Sequence, residues 1–95
     1  MKFSVYILYS KKLNRNYIGS TGDFTKRLEE HNSGYFKEAF TLKGIPWETI
    51  LIIENLHSKQ AFEIELYIKR MKSKRYIESL FKYPEIIIGL QEKFK

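Results

Sequence analysis

Tyr17-Ile18-Gly19-Ser20-Thr21-Gly22-Asp23 constrains the fold of this chain more than any other stretch. Tyr17-Ile18 reads as the end of a strand. Gly19 and Gly22 permit backbone geometry that other residues resist, and Asp23 is suited to cap a helix that follows. The next segment, Phe24 to Asn32, carries Arg27 and His31 four residues apart, one turn from each other on one helical face. A strand-turn-helix unit therefore delivers a phenol, a guanidinium and an imidazole to one neighbourhood.

The rest of the chain must supply a core for that unit. Its 95 residues suffice for one small domain, and 43% hydrophobic with 29% charged residues is a globular composition. Lys and Arg number 17 against 11 acidic residues, a net charge of +6, which favours a polyanionic partner such as nucleic acid, although solubility alone also explains such an excess. Cysteine is absent, which excludes disulfides, thiolate catalysis and Cys-based zinc sites. The amino terminus has no signal-peptide apolar region, and no apolar run approaches the ~20 residues of a membrane span. The expectation is a soluble cytoplasmic protein with no membrane partner.

Alternation from Lys2 to Tyr9 marks a first strand, with Phe3, Val5, Ile7 and Tyr9 on one side and Ser4, Tyr6 and Leu8 on a more polar one. The polar turn from Ser10 to Asn16 returns the chain into Tyr17-Ile18, an antiparallel hairpin. The first helix is expected from about Asp23 to Ser33, with Phe24 and Leu28 inward and Gly34 stopping it. A basic, aromatic connection from Tyr35 leads to the loop Gly44-Ile45-Pro46. The continuous run Ile50-Leu51-Ile52-Ile53 suits a strand buried on both faces, hence central in the sheet. Ser58 is expected to cap a second helix, its inward stripe Ala61, Ile64, Ile68 and Met71 widened by Phe62 and Leu66. A further helical segment follows Ser73, with Ile77, Leu80 and Phe81 inward and Tyr83-Pro84 ending it. These elements compose an α/β (α+β) domain over 1–83. It has a small three-stranded mixed or antiparallel sheet flanked by helices in β-β-α-β-α-α order, and 84–95 is a tail whose pattern assigns no element.

Glu65 falls on the inward stripe of the second helix, where an unpaired carboxylate is costly. Two readings account for it: an edge ion pair with Lys69 or Arg70, or a hard-cation ligand that shares Mg²⁺ with waters and a phosphate. Arg27 and His31 read equally as exposed polar residues beside Glu29 and Glu30, and Tyr6 and Tyr17 as ordinary strand aromatics. A phenol serves as a general base only if nearby cations lower its pKa from about 10. The cluster Lys69, Arg70, Lys72, Lys74 and Arg75 is either a solvated helix face or a phosphate-contacting patch. Other enzymatic signatures are missing: there is no P-loop, no H-E-x-x-H and no G-x-S-x-G. With two histidines in all, and His57 in the polar loop before Ser58, a zinc site is disfavoured.

Taken together, these residues resemble the GIY-YIG nuclease domain, especially its small stand-alone bacterial members. Ser4-Val5-Tyr6 stands where the first triad is expected, and Tyr17-Ile18-Gly19 matches the second, with ten residues between the tyrosines. Gly19 to Asp23, then Arg27, then His31-Asn32-Ser33-Gly34, resembles the family's central motif at its spacing. Pro46-Trp47 resembles the opening of its third strand, and Ala61, Glu65, Ile68 and Lys69 its metal-site helix, so that the match covers roughly 3–82. The first triad lacks its glycine and isoleucine, and no asparagine follows Asn55.

The resemblance implies a metal-dependent endonuclease that hydrolyses phosphodiester bonds in DNA, structured or branched substrates included, leaving a 5′ phosphate and a 3′ hydroxyl. It assigns water activation to Tyr6, with Tyr17 as its partner. Arg27 is to stabilise charge on the phosphorane, His31 to orient groups or exchange protons, and Glu65 to be the sole protein ligand of one Mg²⁺ or Mn²⁺. Nucleic-acid contacts are expected at Lys26, Lys69, Lys72 and Arg75, and a separate protein partner is expected to supply specificity. The competing readings are an inactive nuclease fold that binds nucleic acid or protein, and a purely structural interaction domain. The five polar side chains are expected to converge on a cleft floored by the sheet.

Overall fold

In the computed structural model, which describes residues 2–33, 40–71 and 73–95, Phe3–Ser10 (β1) and Arg15–Thr21 (β2) form the hairpin. Helix α1 (Phe24–Ser33) and a short turn of helix, α2 (Phe40–Lys43), lead to β3 (Glu48–Leu56). Helices α3 (Ser58–Met71), α4 (Lys74–Lys82) and α5 (Pro84–Lys93) complete the chain. The sheet is antiparallel throughout, in the order β2-β1-β3. Gly34, Tyr35 and Lys72 lie outside the described residues, so the expected helix stop at Gly34 and the phosphate contact at Lys72 have no structural description.

The central strand is β1, which corrects the expectation for β3. Val5-Tyr6-Ile7-Leu8 is buried on both faces, whereas Ile50, Leu51 and Ile52 on β3 are only partly buried. An apolar run does not tell a central strand from an edge strand, because the order of pairing is set by the chain as a whole. On one face of the sheet Val5 and Ile7 pack with Ala61, Ile64, Ile68, Ile77, Leu80 and Leu90, contributed by α3, α4 and α5. On the other, Tyr6, Leu8 and Trp47 form a second cluster with Tyr17, Phe24 and Leu28 packed against it. Each fully buried Ile or Leu stabilises the fold by ~1.5–3 kcal/mol.

Local chemistry sets the helix boundaries. The Asp23 carboxylate accepts from the Lys26 backbone N–H at 3.1 Å, the N-cap expected of it. At α3 the cap is His57 in place of Ser58: its Nδ1 accepts from the Gln60 N–H at 3.1 Å, while Gln60 Oε1 accepts from the His57 N–H at 3.2 Å, a reciprocal capping box. Ser73 separates α3 from α4, its Oγ accepting from the Tyr76 N–H at 3.1 Å. Pro84 occupies the first turn of α5, where its missing N–H costs nothing. The segment 84–95, left without an element by the sequence, thus begins with this helix, and Leu90 buries into the core. Phe62, Met71 and Phe81, expected inward, are exposed. The periodicity of α3 and α4 is real, but sheet and helices together cover only a narrow stripe of each. Among the described residues no helix is long and apolar enough to cross a membrane.

Candidate active site

Tyr6 and Gly19 are cross-strand partners in the β1–β2 ladder, so their side chains leave the same face of the sheet. Gly19 has no side chain to place there, and the Tyr6 phenol lies across it: a Cβ at residue 19 would stand 2.5 Å from the phenolic oxygen. From that position the Tyr6 hydroxyl meets His31 Nε2 at 3.2 Å. The imidazole packs edge-on against Tyr17, with ring centroids 4.7 Å apart, and Tyr6 and Tyr17 are stacked at 6.4 Å. Helix α1 holds His31 in place through its neighbour. Asn32 accepts the Trp47 N–H at 2.6 Å and donates to the Trp47 carbonyl at 3.2 Å, clamping the end of α1 to the entry of β3. Arg27 lies one turn before His31 and makes a 3.6 Å ion pair with Glu30.

Glu65 lies under the opposite face of the sheet, on α3. Its Oε1 accepts from Ser20 Oγ at 2.5 Å, its Oε2 accepts from Lys69 Nζ at 2.5 Å, and the side chain is only 13% exposed. The ion pair with Lys69 that the sequence allowed is therefore present. The carboxylate carries a second bond, from a strand, that helix geometry could not foretell. Ser20 follows Gly19, and successive strand residues face opposite sides. The two halves of the site consequently straddle β2, which is an edge of the sheet. They do not share a cleft floored by the sheet. A cavity of about 450 Å³ is lined by Lys26 and Arg27 together with Asp23 and Glu30, and reaches neither tyrosine nor Glu65.

The halves are nonetheless electrostatically joined. Burial raises the Tyr6 phenol far above the usual tyrosine range; Tyr17, Glu65 and Glu30 push it further, and Arg27 opposes them without prevailing. Burial also lowers His31 below 6.5, helped by the Arg27 charge and resisted by Glu30. A neutral imidazole can accept at Nε2, and a protonated phenol can donate to it. With both groups neutral, the contact at 3.2 Å is compatible with a Tyr6 O–H that donates to Nε2, the arrangement a proton relay from phenol to imidazole requires. Desolvation outweighs the Arg27 guanidinium, so that charge alone does not lower the phenol pKa.

The described residues include no group of three His, Cys, Asp or Glu side chains able to hold a metal ion. Glu65 still suits one hard cation of the Mg²⁺ type, which keeps most of its waters and takes one or two carboxylates: its donors are two carboxylate oxygens, already facing an ammonium.

The chain matches the model of the GIY-YIG catalytic domain over residues 2–77. It belongs to the GIY-YIG family. Relatives include the structure-specific endonuclease subunit SLX1 of Meyerozyma guilliermondii, 35% identical over 80 residues, covering 79% of this chain and 27% of that protein. The subunit of the same name from Talaromyces marneffei is 40% identical over 83 residues, covering 79% of this chain and 21% of that protein. This GIY-YIG domain thus spans about a quarter of the fungal proteins it matches. A solved structure, a UPF0213 protein of Bacillus halodurans, superposes with a TM-score of 0.54 at 30% identity, covering 86% of this chain and 84% of that one.

Within the GIY-YIG domain, Tyr6, Tyr17 and His31 are in mutual contact, and Glu65 lies under the adjoining strand. Lys69 is bound to Glu65, Lys26 lines the cavity near Arg27, and Arg75 is exposed on α4. Sequence reasoning missed Ser20 and Asn32 as positioning residues. Their signal was membership: both stand within the stretches that resemble the family's central motif, where no role was assigned to them. Gly19→Ala follows from the geometry as a test. Its methyl has to displace the phenol, so the variant is expected to lose about 1–3 kcal/mol of stability, the usual cost of overpacking. Urea unfolding measures this; an unchanged midpoint would mean that the phenol can lie elsewhere at no cost.

Proposed function

We propose that this GIY-YIG domain is a divalent-metal-dependent endonuclease acting on DNA, leaving a 5′ phosphate and a 3′ hydroxyl. The observation that carries this reading is a carboxylate held by Ser20 beside the one strand residue, Gly19, over which a buried phenol reaches a neutral imidazole. The likeness to proteins described as structure-specific endonuclease subunits supports branched or otherwise structured DNA as substrate, and a partner protein that supplies specificity.

Glu65 would hold one Mg²⁺ or Mn²⁺, with Lys69 giving up its place on Oε2. A cation bound there supplies charge neutralisation at the phosphate and at the departing 3′ oxygen. The chain's own residues then act in sequence. As the phenolic oxygen of Tyr6 takes a proton from the attacking water, its own proton passes to His31 Nε2. No free phenolate forms, which accommodates the raised phenol pKa. Tyr17 keeps the imidazole edge against its ring, and Arg27 places a guanidinium where charge develops on the phosphorane.

The Lys69–Glu65 pair favours a second reading, in which the site is a closed ion pair and the fold only binds nucleic acid. Supercoiled plasmid incubated with Mg²⁺ or Mn²⁺, against an EDTA control, separates the two. Nicks whose 3′ ends a polymerase extends without prior dephosphorylation are the expected result. A parent protein that binds DNA yet nicks it with neither ion sinks the nuclease reading.

A further inference from the structure

A second cavity, of about 260 Å³, opens between the start of β2 and the facing ends of α3 and α4. Its wall includes Arg15, Asn16, Ile18, Lys69, Ser73 and Lys74. Among the described residues of that wall none is acidic, Lys69 being paired with Glu65 outside it, whereas Lys26 and Arg27 in the larger cavity are balanced by Asp23 and Glu30. Arg15 and Lys74 are exposed, and Lys74 Nζ spends one of its three donors on the Asn14 carbonyl at 3.2 Å. The wall is joined to the candidate active site by Lys69, whose ammonium rests on Glu65 Oε2.

The strand sets the spacing. Asn16, Ile18 and Ser20 lie on one face of β2 at about 7 Å per step, so the cavity begins one step from the Ser20–Glu65 contact and ends roughly 14 Å from it. Phosphates of one DNA strand recur every ~3.4 Å of axial rise. A strand lying along this edge therefore sets a phosphate within a few nucleotides of the scissile one against Arg15 and Lys74.

We infer that this cavity is a second phosphate-binding site, taking a backbone phosphate of the same nucleic-acid strand that presents its scissile phosphate at Glu65. The inference rests on the nuclease reading for the placement of the scissile phosphate, but the cavity's phosphate affinity is independent of cleavage. It makes Arg15 and Lys74 binding residues and gives the substrate strand a direction along the β2 edge.

The test pairs Arg15→Gln with Lys74→Gln and measures binding of a labelled DNA duplex by fluorescence anisotropy in EDTA, across a salt series. Losing two phosphate contacts is expected to reduce the slope of log K against log[salt] by about 2 and to weaken binding at least tenfold near 0.1 M salt. The control, Lys59→Gln with Lys95→Gln, removes the same charge from lysines that pair with Glu63 and Glu92, and is expected to weaken binding far less. A neutral methylphosphonate walked along the strand locates the phosphate: one position should weaken the parent and be silent in the Arg15/Lys74 variant. Parent-like affinity and slope in that variant, an equal loss in the control, or the same sensitive position in both proteins overturns the proposal. A parent that shows the sensitive position but never cuts removes the nuclease reading and leaves this site standing. A parent that cuts while the variant binds normally removes this site alone.

Discussion

Glu65→Ala is expected to lower Mg²⁺- or Mn²⁺-supported nicking by at least about 10²–10³-fold, the usual scale for removing one electrostatic stabiliser from an active site. The fold should survive. Glu65 lies at the rim of the α3 stripe and, among the described residues, bonds Ser20 and Lys69, both of which can turn to solvent when it is removed. The variant should therefore unfold within about 1–2 kcal/mol of the parent, the scale of a hydrogen bond or two. Glu65→Gln keeps an acceptor for Ser20 but loses the charge, so it separates positioning from cation binding. Electron paramagnetic resonance of Mn²⁺ should show binding in the parent and almost none in either variant. Parent-like nicking by the Ala variant would show that the metal is held elsewhere.

Tyr6→Phe is expected to reduce turnover by about 10²–10⁴-fold, the scale of a positioned proton-transfer group, with DNA affinity unchanged. The ring still fills the space over Gly19, and only the hydroxyl that meets His31 Nε2 is removed. The pH profile carries more of the argument. His31 must be neutral to receive the phenolic proton, and its pKa is held below 6.5 by burial and by Arg27. Parent activity should thus be level from neutrality down past pH 6.5 and fall only in more acid solution, as the imidazole protonates. An activity that requires the phenolate itself would instead climb steadily through the alkaline range, because burial has raised the Tyr6 pKa. Normal turnover in the Phe variant excludes the relay.

The hairpin and helices α1, α3 and α4 were legible from local chemistry. Asp23 caps α1, and Ser73 breaks α3 from α4. Where reading failed, the missing information was non-local. Whether Ile50–Ile53 lies at the centre or the edge of the sheet depends on which strands pair, and β1 takes both partners. Whether Phe62 or Leu90 is buried depends on which helix lies alongside, and α5 was not expected at all.

By itself the sequence determined the residue types of the site, the alternation that puts Ser4, Tyr6 and Leu8 on one side of β1, and the helical turn that sets Arg27 near His31. Those relations stay within one segment, so propensity and periodicity carry them. Only the tertiary structure decided that Ser20 reaches under the sheet to Glu65, that the phenol keeps its proton, and that the two halves meet across an edge strand. Desolvation and long-range contact are properties of the packed chain, and no spacing within a single segment encodes them.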